Sequence, residues 1–83
     1  MAKQEIYSLC IGINKLRRLK SGQDTVISRE ASDRWIRFYR KKQTKVRFYD
    51  LTMYDSCAFT VKKVEMISQL DKTIIRIEID KML

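Results

Sequence analysis

The chain contains no proline and only two glycines, Gly12 and Gly22, among its 83 residues. Proline and glycine are the residues that most often end helices and strands or form flexible connections. A chain with so few of them predicts directly connected elements, without a linker that divides it. A protein of this length buries only about 60 to 65 percent of the surface that its unfolded chain exposes, which leaves no room for a second core. The sequence therefore predicts a single small domain, residues 1–83.

Positive charge is concentrated in the first part of the chain. The net charge is +8, but residues 1–47 contain thirteen Lys or Arg against four Asp or Glu, whereas residues 48–83 contain five against six. Uneven charge of this kind constrains the partners of a protein and its association kinetics, although it does not constrain the fold. We expect the basic part to face an anion. A basic surface that is only solvated is the alternative interpretation.

The first segment has the two-residue period of a strand. Within residues 5–13 the odd positions from 7 onward are apolar and the alternate positions are small, which predicts a strand with one face close to another element. Residues 14–24 place four cations around Leu16 and Leu19 and end in turn-forming residues. This second composition predicts a basic loop or a short helical turn.

An amphipathic helix is predicted from Arg29 to Lys42. Ser28 is a suitable N-cap, and Glu30 in the first turn complements the positive end of the helix dipole. Apolar residues at spacings of four, three and one form a stripe that can pack on a sheet: Ala31, Trp35, Phe38 and Tyr39. The neighbouring stripe is basic and consists of Arg34, Arg37 and Lys41, with Arg40 and Lys42 beside it.

The remaining residues predict strands. Residues 45–49 and 57–62 alternate between apolar and other side chains and together predict a hairpin. Near Lys62 and Lys63 the apolar positions change parity, which predicts a bulge or a bend. Residues 68–72 predict a turn, and residues 73–80 form the most regular half-buried strand of the chain. The predicted fold is α+β: a strand, then a helix, then a three-stranded antiparallel meander, with the helix packed on one face of the sheet.

The sequence lacks the residues that most often carry catalysis. It contains no histidine, so the commonest general base and zinc ligand is missing. Cys10 and Cys57 are separated by forty-six residues, which matches no metal-ligand spacing and makes no disulfide framework. Asp50 and Asp55 are a candidate carboxylate pair, but such pairs are more typical of solvated faces. We predict a protein that is not an enzyme and that uses neither a metal nor a cofactor.

The sequence predicts neither targeting nor membrane attachment. Residues 1–5 lack the charged and then apolar order of a signal peptide, and no apolar run approaches the roughly 18 residues of a membrane span. The apolar stripe of the predicted helix is needed to cover the sheet, which leaves little to insert into lipid. Two buried thiols suit a reducing compartment, so we expect a cytoplasmic protein.

The basic helix is the strongest functional signal in the sequence. Its cations repel one another, and a bound phosphate backbone would relieve that repulsion. We predict polyanion contact by Arg34, Arg37, Arg40, Lys41 and Lys42. The predicted loop extends this surface with Arg17, Arg18 and Lys20, and the strand after the helix extends it with Lys45 and Arg47. The rings that we expect to be most exposed are those of Tyr7, Tyr49 and Tyr54, and a base stacked on one would contribute roughly 1 to 3 kcal/mol.

A short segment resembles a known DNA-binding element. The nine residues from Ile11 to Leu19, IGINKLRRL, resemble the turn and recognition helix of the small winged-helix excisionases of conjugative transposons. The resemblance implies major-groove contacts by Asn14, Lys15, Arg17 and Arg18. In those proteins an amphipathic helix precedes this stretch, whereas residues 5–13 here alternate like a strand. On that ground the chain is not assigned to the family.

Two functions fit these features. The first is a small non-enzymatic protein that binds DNA or RNA through phosphates; six such contacts predict that log affinity falls against log salt with a slope of roughly −5 on duplex DNA. The second is a protein-interaction module of a phage or mobile element, which docks its basic face on an acidic host protein or inhibits a nucleic-acid-handling enzyme. A homodimer formed by edge pairing of the last strand, residues 73–80, is a further hypothesis.

Overall fold

Alternating isoleucines in the last segment of the chain form the centre of the sheet. In the computed structural model, which describes residues 6–52 and 55–83, Ile75 and Ile77 are fully buried and Ile79 is nearly so. β-branched residues at every second position suit a strand of which one face packs while the other remains polar. The structure confirms this predicted strand.

The fold is a small compact α+β domain with two helices and a five-stranded mixed sheet in the described residues. In chain order the elements are β1 (Tyr7–Cys10), α1 (Ile13–Ser21), β2 (Val26–Glu30), α2 (Asp33–Arg40), β3 (Lys45–Tyr49), β4 (Ser56–Gln69) and β5 (Lys72–Met82).

The strands follow the order β1, β3, β4, β5, β2 across the sheet. β1 runs parallel to β3, and the other neighbouring pairs are antiparallel. The open edges are therefore β1 and β2. The prediction that the last strand offers an edge to a second protomer is wrong, because β5 has β4 on one side and β2 on the other.

The predicted order of one strand, one helix and a three-stranded meander is also wrong. Residues 28–30, which are predicted to cap and begin the helix, belong instead to β2, and all five residues of this strand pair with β5. Ile27 is only 1% exposed. The free energy gained by burying Ile27 and by pairing five residues with β5 exceeds the local preference of Ser28 for a helix cap. Tertiary packing overrides local propensity here. α2 consequently begins at Asp33 and has eight residues.

The residues predicted as a basic loop or short turn form the nine-residue helix α1. Leu16 and Leu19 lie on its buried side, and this contact with the core stabilises a helix that would be marginal alone. Gly22 ends the helix in the left-handed conformation, with φ 82°, which glycine adopts without steric cost. A strand precedes α1, so the described residues do not have the upstream helix of the excisionases.

The predicted irregularity near Lys62 and Lys63 is confirmed as a β-bulge. The register between β4 and β5 shifts between Phe59 and Val61 and again between Val61 and Lys63. An extra residue in one strand moves the following side chains to the opposite face, which is why the apolar positions change parity here. The bulge lets the fourteen-residue β4 stay paired on both sides of the irregularity.

Both helices contribute to one hydrophobic core. Leu16 and Leu19 of α1, together with Trp35 and Phe38 of α2, join the inward residues of all five strands in a single cluster. The buried positions predicted for Trp35 and Phe38 are confirmed, at 6% and 0% exposure. Because its apolar side faces the sheet, α2 presents its arginines to solvent.

Candidate functional site

Three predicted cations of α2 line one open depression beside the edge strand β1. Arg34 and Arg37 are three positions apart, and Lys41 follows four positions later as the C-cap residue, so all three share one side of the helix. The first depression has a volume of about 480 Å³ and is lined by residues 6–8 of the β1 segment and by Asp33, Arg34, Arg37, Lys41 and Gln43. The sequence predicts that these three cations lie side by side on the helix, and in the structure they line the same depression.

The cations of the first depression remain available to a ligand. Within residues 6–52 and 55–83, none of the three forms an ion pair. Arg34 donates a hydrogen bond to the Tyr49 hydroxyl at 3.1 Å, which orients its guanidinium. Lys41 Nζ lies 5.9 Å from the centroid of the Tyr7 ring, a cation–π contact.

The other two predicted helix cations line a second depression. Arg40 and Lys42 lie there with Lys62 and Lys63, around a floor of apolar side chains. Its volume is about 430 Å³, and its lining is Tyr39, Arg40, Lys42, Gln43, Thr44, Val61, Lys62, Lys63 and Val64. Gln43 lines both depressions, so the two meet at this residue.

The five helix cations therefore do not form one outward stripe on a single rod. α2 ends at Arg40, and Lys42 lies beyond it in the left-handed conformation with φ 50°. Sequence reasoning missed Lys62 and Lys63 as functional candidates, although the parity change at these two residues was the signal that could have indicated them.

Three of the four cations of α1 form ion pairs with carboxylates of this chain. Lys15 and Arg18 each lie 2.8 Å from Oδ2 of Asp24, and Lys20 lies 3.0 Å from Asp55. The hydrogen bond from Lys15, followed by that from Arg18, holds the pKa of the Asp24 carboxyl below its ordinary value of 3.8. Arg17 is exposed and has no ion pair with any described residue. Neither depression is lined by Arg17, Arg18 or Lys20.

The two predicted cations of β3 also lie outside both depressions. Arg47 is exposed and stands in register with Ser8 of β1 and Ala58 of β4. Lys45 is half-buried. Both alternate with the buried Val46 and Phe48, so their side chains leave the sheet on the face away from the core.

The rings of Tyr7 and Tyr49, which are predicted to be among the most exposed, are both half-buried. Tyr7 packs against Phe38 and lies below Lys41, and Tyr49 is half-buried and accepts the bond from Arg34. Tyr54 lies outside the described residues. Tyr39, which was assigned only to the core, is half-buried and lines the second depression.

Three residues with potentially reactive side chains lie outside both depressions: Asp50, Cys10 and Cys57. Asp50, which is 6% exposed, accepts hydrogen bonds from the Thr52 hydroxyl and from the Asp55 backbone N–H. Cys10 and Cys57 are half-buried free thiols, and burial raises the pKa of Cys57 above its ordinary value of 9.0. No group of three or more potential metal ligands occurs among residues 6–52 and 55–83.

Comparison with known proteins yields no match to a family model, to a curated protein or to a solved structure. In the part of the chain that the structure describes, no helix has the length and apolar character needed to cross a membrane.

Proposed function

We propose that the protein is a small non-enzymatic nucleic-acid-binding protein that grips phosphates through the cations in and after α2. The observation that carries this proposal is the convergence of Arg34, Arg37 and Lys41 on one open depression, where no described carboxylate pairs with them. The proposal places the protein in the cytoplasm, where its two free cysteines stay reduced.

Phosphate is the ligand group that best suits these side chains. A guanidinium offers parallel N–H donors that match two phosphate oxygens, and an ammonium adds a point charge. Asp33 also lines the depression, but the three cations leave it net positive. Such contacts supply affinity and position without reading the base sequence. We therefore expect binding with little sequence preference.

Salt dependence of binding tests the proposal directly. Fluorescence anisotropy of labelled DNA and RNA, recorded between about 50 and 200 mM salt, measures how many phosphates are neutralised. If the five cations in and after α2 participate, namely Arg34, Arg37, Arg40, Lys41 and Lys42, the slope of log affinity against log salt is about −4.5 on duplex DNA and about −3.5 on a single strand. Absence of binding at the lowest salt, or a flat salt dependence, overturns the proposal.

Charge reversal locates the surface. Arg37→Glu changes the centre of the first depression and should weaken binding at least tenfold while leaving the core intact, because Arg37 is exposed. Lys72→Glu is the matched control, since this lysine is exposed at the distant turn between β4 and β5 and lines neither depression. Equal loss in both variants would indicate that only net charge matters, and the assigned surface would then be wrong.

The open edge of β1 favours one alternative. Residues 6–8 border the first depression, so an extended acidic segment could pair with this edge while its carboxylates contact Arg34, Arg37 and Lys41. In that case the protein is an interaction module, such as a phage or mobile-element inhibitor of a host protein or of a nucleic-acid-handling enzyme. Pull-down from a lysate with and without nuclease separates the two: a partner that survives nuclease supports the inhibitor, and loss of every partner supports nucleic-acid binding.

A further inference from the structure

The second depression combines an apolar floor with a cationic rim. Tyr39, Val61 and Val64 are half-buried, and each packs against the hydrophobic core. Four cations surround this floor: Arg40, Lys42, Lys62 and Lys63. A volume of about 430 Å³ falls within the usual range for small-molecule sites, roughly 300 to 1,000 Å³. The depression therefore suits a flat apolar group that carries negative charge beside it.

Two backbone irregularities build the rim. The bulge in β4 makes Lys62 and Lys63 consecutive exposed residues, and Lys42 adopts a left-handed conformation that a residue with a β-carbon rarely takes. The ammonium groups of Lys62 and Lys63 lie 3.6 and 3.7 Å from carboxylates, and more than half of each side chain is exposed. Ion pairs this long and this exposed are weak, so both lysines can turn toward a ligand.

The first depression lacks such a floor. Its one aromatic ring, Tyr7, packs against Phe38 and has the Lys41 ammonium over it, so a base that stacked on this ring would compete with the Lys41 contact. Because Gln43 lines both depressions, phosphates held by Arg37 and Lys41 lie next to the second depression. The first depression thus suits phosphates, whereas the second suits phosphates together with an apolar group.

We propose that the second depression holds an unpaired nucleobase against Tyr39, Val61 and Val64, while the surrounding cations contact the flanking phosphates. The inference rests on the proposed function and specifies its ligand class as single-stranded nucleic acid. Bases in a duplex are stacked and paired, and they present no face to a side chain, whereas single strands bind to protein rings by stacking. Gln43 and Thr44 supply polar groups for the edge of the base.

A pair of oligonucleotides with equal charge tests the base site. One is a labelled single strand of about twelve nucleotides, and the other is an abasic strand with the same number of phosphates. In anisotropy titrations at the same salt, the strand with bases should bind about five- to hundredfold more tightly. Equal affinity of the two strands overturns the base site and leaves the phosphate grip intact. If neither strand binds, the single-strand site fails, and if duplex DNA does not bind either, the proposed function fails as well.

A matched pair of tyrosine variants locates the site. Tyr39→Leu removes the ring from the second depression and keeps an apolar side chain, and Tyr7→Leu does the same in the first depression; both tyrosines are half-buried and pack on the core. The affinity ratio between the two strands should fall to about one in Tyr39→Leu and should persist in Tyr7→Leu. A ratio that persists in Tyr39→Leu overturns the assignment.

The rim provides a test that does not disturb the core. Lys62→Gln combined with Lys63→Gln changes only exposed side chains, and it should weaken binding of both strands by threefold or more at low salt relative to Lys72→Gln, because phosphate contacts are lost. Unchanged affinity in this double variant would show that phosphates do not reach the second depression, and the proposed path of the strand would be wrong.

Discussion

The ring of Tyr7 in β1 packs against the ring of Phe38 in α2, with centroids 5.7 Å apart and planes tilted by 60°. Phe38 is fully buried, whereas Tyr7 is half-buried and lies below Lys41. One tyrosine therefore contacts both the core and the first depression. The contact joins the edge strand to the helix that carries Arg34 and Arg37.

A double-mutant cycle measures this contact. Tyr7→Leu and Phe38→Leu should show a coupling free energy of about 0.5 to 1.5 kcal/mol, the usual worth of an aromatic pair beyond its buried area. Urea unfolding of the parent, both single variants and the double variant gives the coupling. Phe38→Ala should cost about 3 to 5 kcal/mol, because it leaves a cavity beneath the helix. Additive effects of the two leucine substitutions would contradict the pairing.

Acid pH should weaken the ion pairs that join Lys15 and Arg18 of α1 to Asp24 in the loop that follows. Lys15 and Arg18 hold the folded-state pKa of Asp24 below 3.8, so the carboxylate contributes stability above that pH and loses it as the pH falls through the lower folded value. Asp24→Asn should therefore lower Tm near neutral pH, and the difference from the parent should shrink in strong acid. Thermal melts followed by circular dichroism between neutral and low pH measure both effects.

The matched control for Asp24 is Asp71→Asn, at an exposed carboxylate in the turn between β4 and β5. This variant should change Tm little at any pH, because no described cation forms an ion pair with Asp71. High salt should reduce the effect of Asp24→Asn, since both ion pairs of Asp24 are partly exposed and salt screens them. A difference that is the same at neutral and acid pH would show that the loss comes from the side chain and not from its charge.

The sequence predicts those elements that depend on neighbouring residues, and it fails for those that depend on residues far away in the chain. The bulge at Lys62 and the buried stripe of Trp35 and Phe38 follow from local alternation and helical spacing, and the structure confirms both. β2 could not be found in this way. Ser28 and Glu30 have the local chemistry of a helix start, and only pairing with β5, more than forty residues later in the chain, makes this segment a strand. Local patterns carry no information about that distant partner.

The candidate site was predictable to a similar extent. The spacing of Arg34, Arg37 and Lys41 predicts a shared helix side, which agrees with their common depression. The second depression depends on contacts between the end of α2 and the bulged part of β4, which are twenty residues apart in the chain. The ion pairs of Asp24 with Lys15 and Arg18 were not predictable either, because charge counts do not show which side chains are in contact.

The turn between β4 and β5 contains strain that a substitution can remove. The turn predicted at residues 68–72 is confirmed: Gln69 pairs with Lys72, and Leu70 between them has φ 51° and is fully exposed. Leu70→Gly should raise the free energy of unfolding by up to about 1 kcal/mol, because glycine adopts this conformation without a clash between its β-carbon and the backbone. Urea unfolding measures the gain.

Gln69→Gly is the control for Leu70, since Gln69 is an exposed strand residue with an ordinary negative φ. There glycine should destabilise by about 0.5 to 1 kcal/mol, because it loses more conformational entropy on folding. Two substitutions to glycine, one residue apart, are thus expected to have opposite signs. Destabilisation by both would contradict the strained backbone at Leu70.

Lysine at position 42 is expected to lower the stability of the fold while it contributes to binding. With φ 50°, this residue is strained in the way Leu70 is, yet its side chain lines the second depression. Asparagine tolerates the left-handed conformation, so Lys42→Asn should raise the free energy of unfolding by about 0.5 to 1 kcal/mol. The same substitution removes one cation, so it should weaken binding to single strands and reduce the salt slope by about 0.7. Lys72→Asn, which removes a distant exposed charge, should do neither. Opposite changes in stability and affinity at one residue are what a strained functional position predicts, and a loss of both would show that the backbone at Lys42 is relaxed with lysine in place.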